Sequence, residues 1–214
     1  MVALSEWAVA RQVPLTTEIP LSFPQSSRIL DFGCGSGWWL EAMRGEGYTE
    51  LAGWDLDNPS LDRLASRGIK VWREEAERLP DSHFDCIRLE HVLEHVPEPL
   101  GLLKTLSQKL KPGGRLVLAV PNYGSWSAQV TGPGWDYLTL PYHENQFTPK
   151  SLRTILERAG LSVGTLKTLP IWEVAAKAIT SRSSAPAKLA RSAYFVWSTF
   201  KDNGDVVTAE AIRL

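Results

Sequence analysis

The densest chemical signal in the chain is Asp31-Phe32-Gly33-Cys34-Gly35-Ser36-Gly37. Glycines at alternate positions let a backbone reverse tightly and let a ligand approach without meeting a Cβ. The segment follows an apolar run, Arg28 to Phe32, and opens directly into a helical pattern, WWLEAMRGEG. That strand, turn and helix are the context a nucleotide-binding turn requires. Asp31 narrows the choice of ligand, because a pyrophosphate cradled there would meet a carboxylate at the strand end. The spacing GxGxG also departs from the dinucleotide fingerprint G-x-G-x-x-G.

A cationic ligand suits the same acid. S-adenosylmethionine has no phosphate and carries an ammonium and a sulfonium, so Asp31 can meet the ammonium directly or through water. Asp55 closes the next apolar run, ELAGWD, where an acidic side chain accepts hydrogen bonds from ribose hydroxyls. Leu56 beside it can lie on the adenine face. Taken alone, an Asp at a strand end is more often an N-cap or a solvated turn residue; next to the glycine turn the ribose role is the better reading.

Five elements must position these residues. Strands are expected at Arg28 to Phe32, Glu50 to Asp55, Ile69 to Trp72, Phe84 to Glu90 and Arg115 to Val120, separated by helical segments. These include Pro59 to Arg67, with Asn58 as a possible N-cap, and Pro99 to Leu110, which KPGG stops and turns. Strands alternating with helices imply right-handed crossovers and a mainly parallel sheet covered on both faces, with ligands beyond the carboxyl ends. Pro121 to Pro149 breaks the rhythm as a long loop rich in Gly, Pro and aromatics, which marks function. A helix at Ser151 to Ala159, N-capped by Thr148 or Ser151, a strand at Leu161 to Leu169, a helical insertion at Ile171 to Phe200 and a last strand at Asp205 to Leu214 complete the reading.

The 214 residues suit a single domain: a helical extension over 1–27, a donor-binding core over 28–120 and an acceptor-side region over 121–214. Basic and acidic residues nearly balance at 23 and 24, so no global charge recommends nucleic acid as a partner. No apolar run is long enough to span a bilayer, the first residues lack the order of a signal peptide, and Cys34 and Cys86 suggest no disulfide framework. A cytoplasmic protein without stable membrane insertion is expected; oligomeric state is open. The amphipathic stretch Ala187 to Lys201 reads as a lid or packing helix in preference to a membrane contact.

With these motifs in order, the chain resembles a class I S-adenosylmethionine-dependent methyltransferase of the bacterial group that includes the ubiquinone-pathway enzymes. DFGCGSG, GWDLD, EEAERLP, HFDCIRLEHVLEHVPEP and LKPGGRLVLAVPN carry the resemblance over roughly Arg28 to Asn122. It implies a Rossmann-like α/β fold with a seven-stranded, mostly parallel sheet in the order 3-2-1-4-5-7-6, the seventh strand antiparallel. It also implies that Asp31, Gly33, Gly35 and Gly37 hold the methionine part, Asp55 the ribose, Glu75 and Ala76 the adenine amine and ring edge, and that Glu90 or its backbone lies beside the sulfonium. S-adenosylhomocysteine would be the product. Past Asn122, GPGWDYLTLPYHENQFTPKSLRTILERAGL resembles small methyltransferases acting on sugars and other polar metabolites, which points to a small-molecule acceptor without naming it; oxygen is the first choice of methylated atom, with nitrogen and carbon open.

Transfer to an alcohol needs a base. Candidates are His91, Glu94 and His95 after the fourth strand and Tyr142, His143 and Glu144 in the later loop, with His143 and His95 the first choices. His91-x-x-Glu94-His95 also matches a metal-binding pattern, two histidines on one helical face with His143 or Glu144 to complete a set. Metal-bearing relatives have E-x-x-E-H here, whereas this chain has His91 first, and no metal is expected. Two rivals stand: a nucleotide-dependent oxidoreductase on the same fold, disfavoured by Asp31, and a non-catalytic S-adenosylmethionine-binding regulator, which only turnover distinguishes.

Overall fold

A computed structural model describes residues 23–56, 59–169 and 203–214. The first strand, β1 (Ile29–Phe32), is buried along its whole length. Such a run belongs at the centre of a parallel sheet, where both faces are covered. β2 (Leu51–Trp54) and β4 (Phe84–Glu90) flank it in parallel, and β3 (Lys70–Trp72) lies outside β2. β5 (Leu110–Pro121) pairs in parallel with β4, while β7 (Val206–Arg213) inserts antiparallel between β5 and β6 (Leu161–Leu169). The order β3-β2-β1-β4-β5-β7-β6 is the expected one.

Residue alternation assigns the two faces. Leu30, Phe32, Ile87, Leu89, Leu116 and Leu118 join one core. There they meet α3 (Pro99–Lys109) through Leu103 and Leu106 and α5 (Pro149–Arg158) through Leu152 and Leu156. On the other face Ile29, Cys86 and Val117 meet Leu40 of α1 (Trp38–Gly45) and Leu61 and Leu64 of α2 (Pro59–Ser66). Each of these buried leucines stabilises the fold by about 1.5–3 kcal/mol relative to exposure. The chain order reverses between β1 and β4, the kind of switch point beyond whose carboxyl ends open α/β sheets bind ligands.

Three expectations change. The Lys111-Pro-Gly-Gly114 segment follows the end of α3 as expected, but it lies within β5 as a bulge, with Phe84 paired to Leu110 and Cys86 already to Arg115. Gly113 there adopts φ +76, and a Cβ on Gly114 would lie 2.8 Å from the Lys111 carbonyl, so the two glycines permit the bulge. The connection after β5 is not structureless: Ser125, whose Oγ accepts the Ala128 N–H at 3.2 Å, caps a helix α4 (Trp126–Thr131). His91 and His95 do not share a helical face, because His91 has φ +53 and only Leu93–His95 forms a single 3-10 turn.

The cap of α5 resolves to Thr148, which exchanges hydrogen bonds with Ser151 in a capping box. The expected N-terminal extension before residue 23, Asn58 and the helical insertion at Ile171 to Phe200 lie outside the described residues. No helix among the described residues is long and apolar enough to cross a membrane.

Candidate active site

The turn between β1 and α1 is fastened to β2. The Gly33 and Cys34 N–H groups donate to the Trp54 carbonyl at 2.7 and 3.0 Å, and Gly35 N–H donates to Asp55 Oδ2 at 2.5 Å. All three glycines have positive φ. Their surroundings separate them: a Cβ on Gly33 would meet Val92 at 2.4 Å and one on Gly37 would meet Leu64 at 2.5 Å, whereas one on Gly35 meets nothing within 4 Å. Gly33 and Gly37 therefore serve close packing, and Gly35 is where a ligand can approach the backbone. Phe32 and Trp54 stack at 3.9 Å beneath the turn, and Trp54 Nε1 donates to the Glu74 carbonyl at 2.6 Å, bringing the segment after β3 alongside β2.

In that segment Glu75 is exposed and immediately precedes a 3-10 turn (Ala76–Arg78), while the Ala76 side chain joins the core, so Ala76 can offer a ligand its backbone. Leu56, two residues past the end of β2, is 74% exposed. Of these residues Asp55 is bonded directly to the open glycine, and the Trp54–Glu74 hydrogen bond ties the Glu75 segment to the strand that ends beside it.

Asp31 is only 1% exposed and accepts from Arg88 Nη1 at 2.6 Å across the β1–β4 pairing. Arg88 Nη2 bonds Glu90 Oε2, and the guanidinium lies over the Trp39 ring, 4.5 Å from its centroid. Burial pushes the Asp31 carboxyl up from its ordinary value, against the pull of Arg88. Asp31 thus lies inside the protein, paired with Arg88, and is not an exposed anion. Composition offered a signal for this arginine: a charge inside the apolar strand FDCIRLE must find a partner. Identifying that partner required the register.

On the carboxyl side of β4 and β5, a second group converges. Glu94, His95 and His143 present ligand atoms that all lie within 4.8 Å of one another. His95 Nδ1–H donates to the Tyr142 carbonyl at 2.9 Å and His143 Nδ1–H to the Tyr137 carbonyl at 2.7 Å, which leaves each Nε2 as the free acceptor. Asn145 holds the loop down by donating to Glu94 and Val96 carbonyls at 3.1 and 2.7 Å. Glu94 is 1% exposed; its Oε1 lies 3.0 Å from His91 Nδ1, and its Oε2 is buried with no hydrogen-bond partner among the described residues. His91 therefore braces Glu94 from outside the cluster, and Glu144 is exposed and outside it.

The loop's aromatic residues divide by depth. Trp135 is buried, as is Asn122, whose Nδ2 donates to the Gly204 carbonyl at 2.7 Å. Tyr123, Trp126 and Tyr142 are exposed.

A glycine turn open at its middle residue, an acid at the end of β2 and a polar cluster after β4, on a sheet of this order, define one known scaffold. The family described as Methyltransferase domain matches residues 8–166. The chain belongs to the class I S-adenosylmethionine-dependent methyltransferases. S-adenosylmethionine is the donor of that family, and the open approach at Gly35 fits it.

Among similar proteins, the ubiquinone biosynthesis O-methyltransferase of Idiomarina loihiensis is 29% identical over 149 residues, 63% of this chain and 61% of that protein. The Xylella fastidiosa protein of the same name is 32% identical over 163 residues, 69% of this chain and 64% of its own. These matches thus span less than two thirds of the length of those relatives. A methyltransferase structure from Mesorhizobium loti shares the fold with a TM-score of 0.62 at 20% identity, covering 98% of each chain. One from Archaeoglobus fulgidus gives 0.62 at 21%, covering 100% of this methyltransferase and 95% of that chain.

Proposed function

We propose that this protein transfers the methyl group of S-adenosylmethionine to an oxygen of a small polar acceptor, a metabolite, sugar or cell-surface precursor, in the cytoplasm. The observation that carries the oxygen is the Glu94, His95 and His143 cluster, whose imidazole Nε2 atoms are free to take a proton on the carboxyl side of the sheet. The naming of similar proteins as O-methyltransferases supports it.

In this reading Gly35, Asp55, Leu56, Glu75 and Ala76 hold the donor, with Asp31 and Glu90 supplying negative charge. The acceptor oxygen bonds to the methyl carbon as the carbon–sulfur bond breaks, the sulfonium leaves as the neutral thioether of S-adenosylhomocysteine, and the hydroxyl proton passes to His143 Nε2. Positioning and exclusion of water provide much of the acceleration, because the sulfonium is already an excellent leaving group. The exposed Tyr123, Trp126 and Tyr142 would wall the acceptor side.

A second reading is favoured by Glu94 Oε2, a buried carboxylate oxygen without a partner among the described residues. One carboxylate and two imidazoles, each held at Nδ1 by a carbonyl, form a donor set that suits a divalent cation. Glu94, His95 and His143 would hold such an ion, which would supply Lewis-acid polarisation of the acceptor oxygen.

Incubating the protein with methyl-labelled S-adenosylmethionine and fractionated metabolite extract tests the reading. Label should enter a small acceptor as an ether or ester. Donor binding without turnover on any fraction would instead favour a regulator, and label on nitrogen or carbon would overturn the oxygen assignment. Chelation separates base from metal: turnover unchanged by chelator favours His143 as base, and turnover lost to chelator and restored by a divalent ion favours the ion.

A further inference from the structure

Glu75 and Ala76 sit between two anchored carbonyls. On one side the Trp54 indole Nε1–H donates to the Glu74 carbonyl at 2.6 Å, and on the other the Lys109 ammonium donates to the Glu77 carbonyl at 2.7 Å. The anchors come from different elements, the end of β2 and the end of α3. Each anchor is itself held. The Trp54 ring stacks on Phe32 with 3.9 Å between centroids and 3° between planes, and Lys109, whose side chain is 6% exposed, also donates to Asp81 Oδ1 at 2.6 Å. Between the anchors the Arg78 N–H closes the 3-10 turn on the Glu75 carbonyl at 2.9 Å, and the Ala76 side chain enters the core with Leu79.

We propose that Trp54 and Lys109 are positioning residues of the donor site: by holding the carbonyls on either side of Glu75 and Ala76 they fix the pair that reads the base, and so set selectivity for adenine over a base without the exocyclic amine. The inference rests on the reading in which Glu75 and Ala76 receive the adenine. The adenine amine donates and N1 accepts, which matches a carboxylate and a backbone N–H. Hypoxanthine reverses both positions. Its carbonyl oxygen would face the carboxylate and its N1–H would face the N–H, two repulsive contacts in place of two hydrogen bonds.

That discrimination depends on placement, because hydrogen-bonding groups select between ligands only while neighbouring bonds hold them in the matching geometry. A segment released from either anchor can shift until it tolerates the wrong base. The contacts proposed for the ribose at Asp55 and for the methionine part at Gly35 are indifferent to the exchange of amine for carbonyl, so they set overall affinity and not the base preference. Trp54 also accepts the Gly33 and Cys34 N–H groups, but through its carbonyl, which a change of side chain leaves in place.

Calorimetry of S-adenosylhomocysteine and of S-inosylhomocysteine, its hypoxanthine counterpart, binding to the full chain tests the proposal. Wild-type protein should favour the adenosyl ligand by about tenfold or more. Trp54→Phe keeps an aromatic ring for the Phe32 stack and removes the indole N–H, while Lys109→Met keeps an apolar stem and removes the ammonium. Each variant should lower the ratio of the two affinities by about fivefold, with the loss falling on the adenosyl ligand. Weakening of both ligands by the same factor describes a merely structural residue and overturns the proposal, as does a ratio that stays at the wild-type value. Should one variant fail to fold, the other decides, because the two anchors belong to different elements. Wild-type protein that binds both ligands equally would instead refute the placement of the adenine at Glu75 and Ala76, and wild-type protein that binds neither would refute the donor site itself.

Discussion

Asp55 accepts the Gly35 N–H at 2.5 Å and so ties the end of β2 to the open glycine of the β1–α1 turn. One carboxylate both shapes the turn and stands where a ribose would be received. A charge-assisted hydrogen bond is worth about 1.5–3 kcal/mol, so Asp55→Ala should weaken S-adenosylhomocysteine binding by about 10- to 150-fold. Calorimetry on the folded variant checks this, and an unchanged affinity removes Asp55 from the site.

The glycines should separate binding from stability. Gly37→Ala forces a Cβ to within 2.5 Å of Leu64 at φ +73, so it should lower stability by about 1–3 kcal/mol through overpacking and backbone strain. Gly35→Ala meets no neighbour within 4 Å and should cost only about 1–2 kcal/mol of left-handed strain, yet place a methyl group where the ligand approaches. Denaturation midpoints measured beside donor affinity should show Gly37→Ala the less stable and Gly35→Ala the weaker binder at equal folded fraction. The reverse order would assign the open face to Gly37.

His143→Ala should lower turnover on a hydroxyl acceptor by about 10²- to 10⁴-fold while leaving S-adenosylhomocysteine affinity nearly intact. Its Nδ1 is committed to the Tyr137 carbonyl, so the loss falls on the free Nε2. Single-turnover kinetics with saturating donor provide the measurement. Collapse of donor affinity would make His143 a brace of the loop.

Both cysteines should be inert in the folded protein. Burial, aided by the negative charges of Asp31 and Asp55, pushes the Cys34 thiol from an ordinary 9.0 up to about 12, and burial pushes Cys86 up as well. A disulfide reagent at pH 8 should modify neither until denaturant is added. The linkage has a definite sign: above pH 9 the unfolded thiols ionise first, so stability should fall as pH rises from about 9 toward 12, by up to about 1.4 kcal/mol per thiol per pH unit. Rapid labelling of native protein at pH 8 would show that the crevice reaches Cys34.

Much of the scaffold was legible because its signals are local. β1 and β4 are apolar runs buried on both faces, Phe84 to Glu90 and Leu161 to Leu169 match their strands end to end, and Gly33 to Gly37 follow a strand directly. Relationships set by tertiary pairing were not legible. Arg88 could be flagged as a charge in an apolar strand, but only the register sets it opposite Asp31. Helix α4 is six residues long, too short for periodicity to announce it, and is marked only by its Ser125 cap. The Glu94, His95 and His143 cluster joins residues across a long loop; local spacing suggested His91 and His95, but the left-handed backbone at His91 breaks that helical face.

The central claim is that the Gly35 turn receives S-adenosylmethionine and not a dinucleotide. Titration calorimetry of the purified chain with S-adenosylhomocysteine and, separately, with NAD tests it most directly. One molecule of S-adenosylhomocysteine should bind per chain at micromolar strength, with no heat from NAD. Binding of NAD without binding of S-adenosylhomocysteine would contradict it.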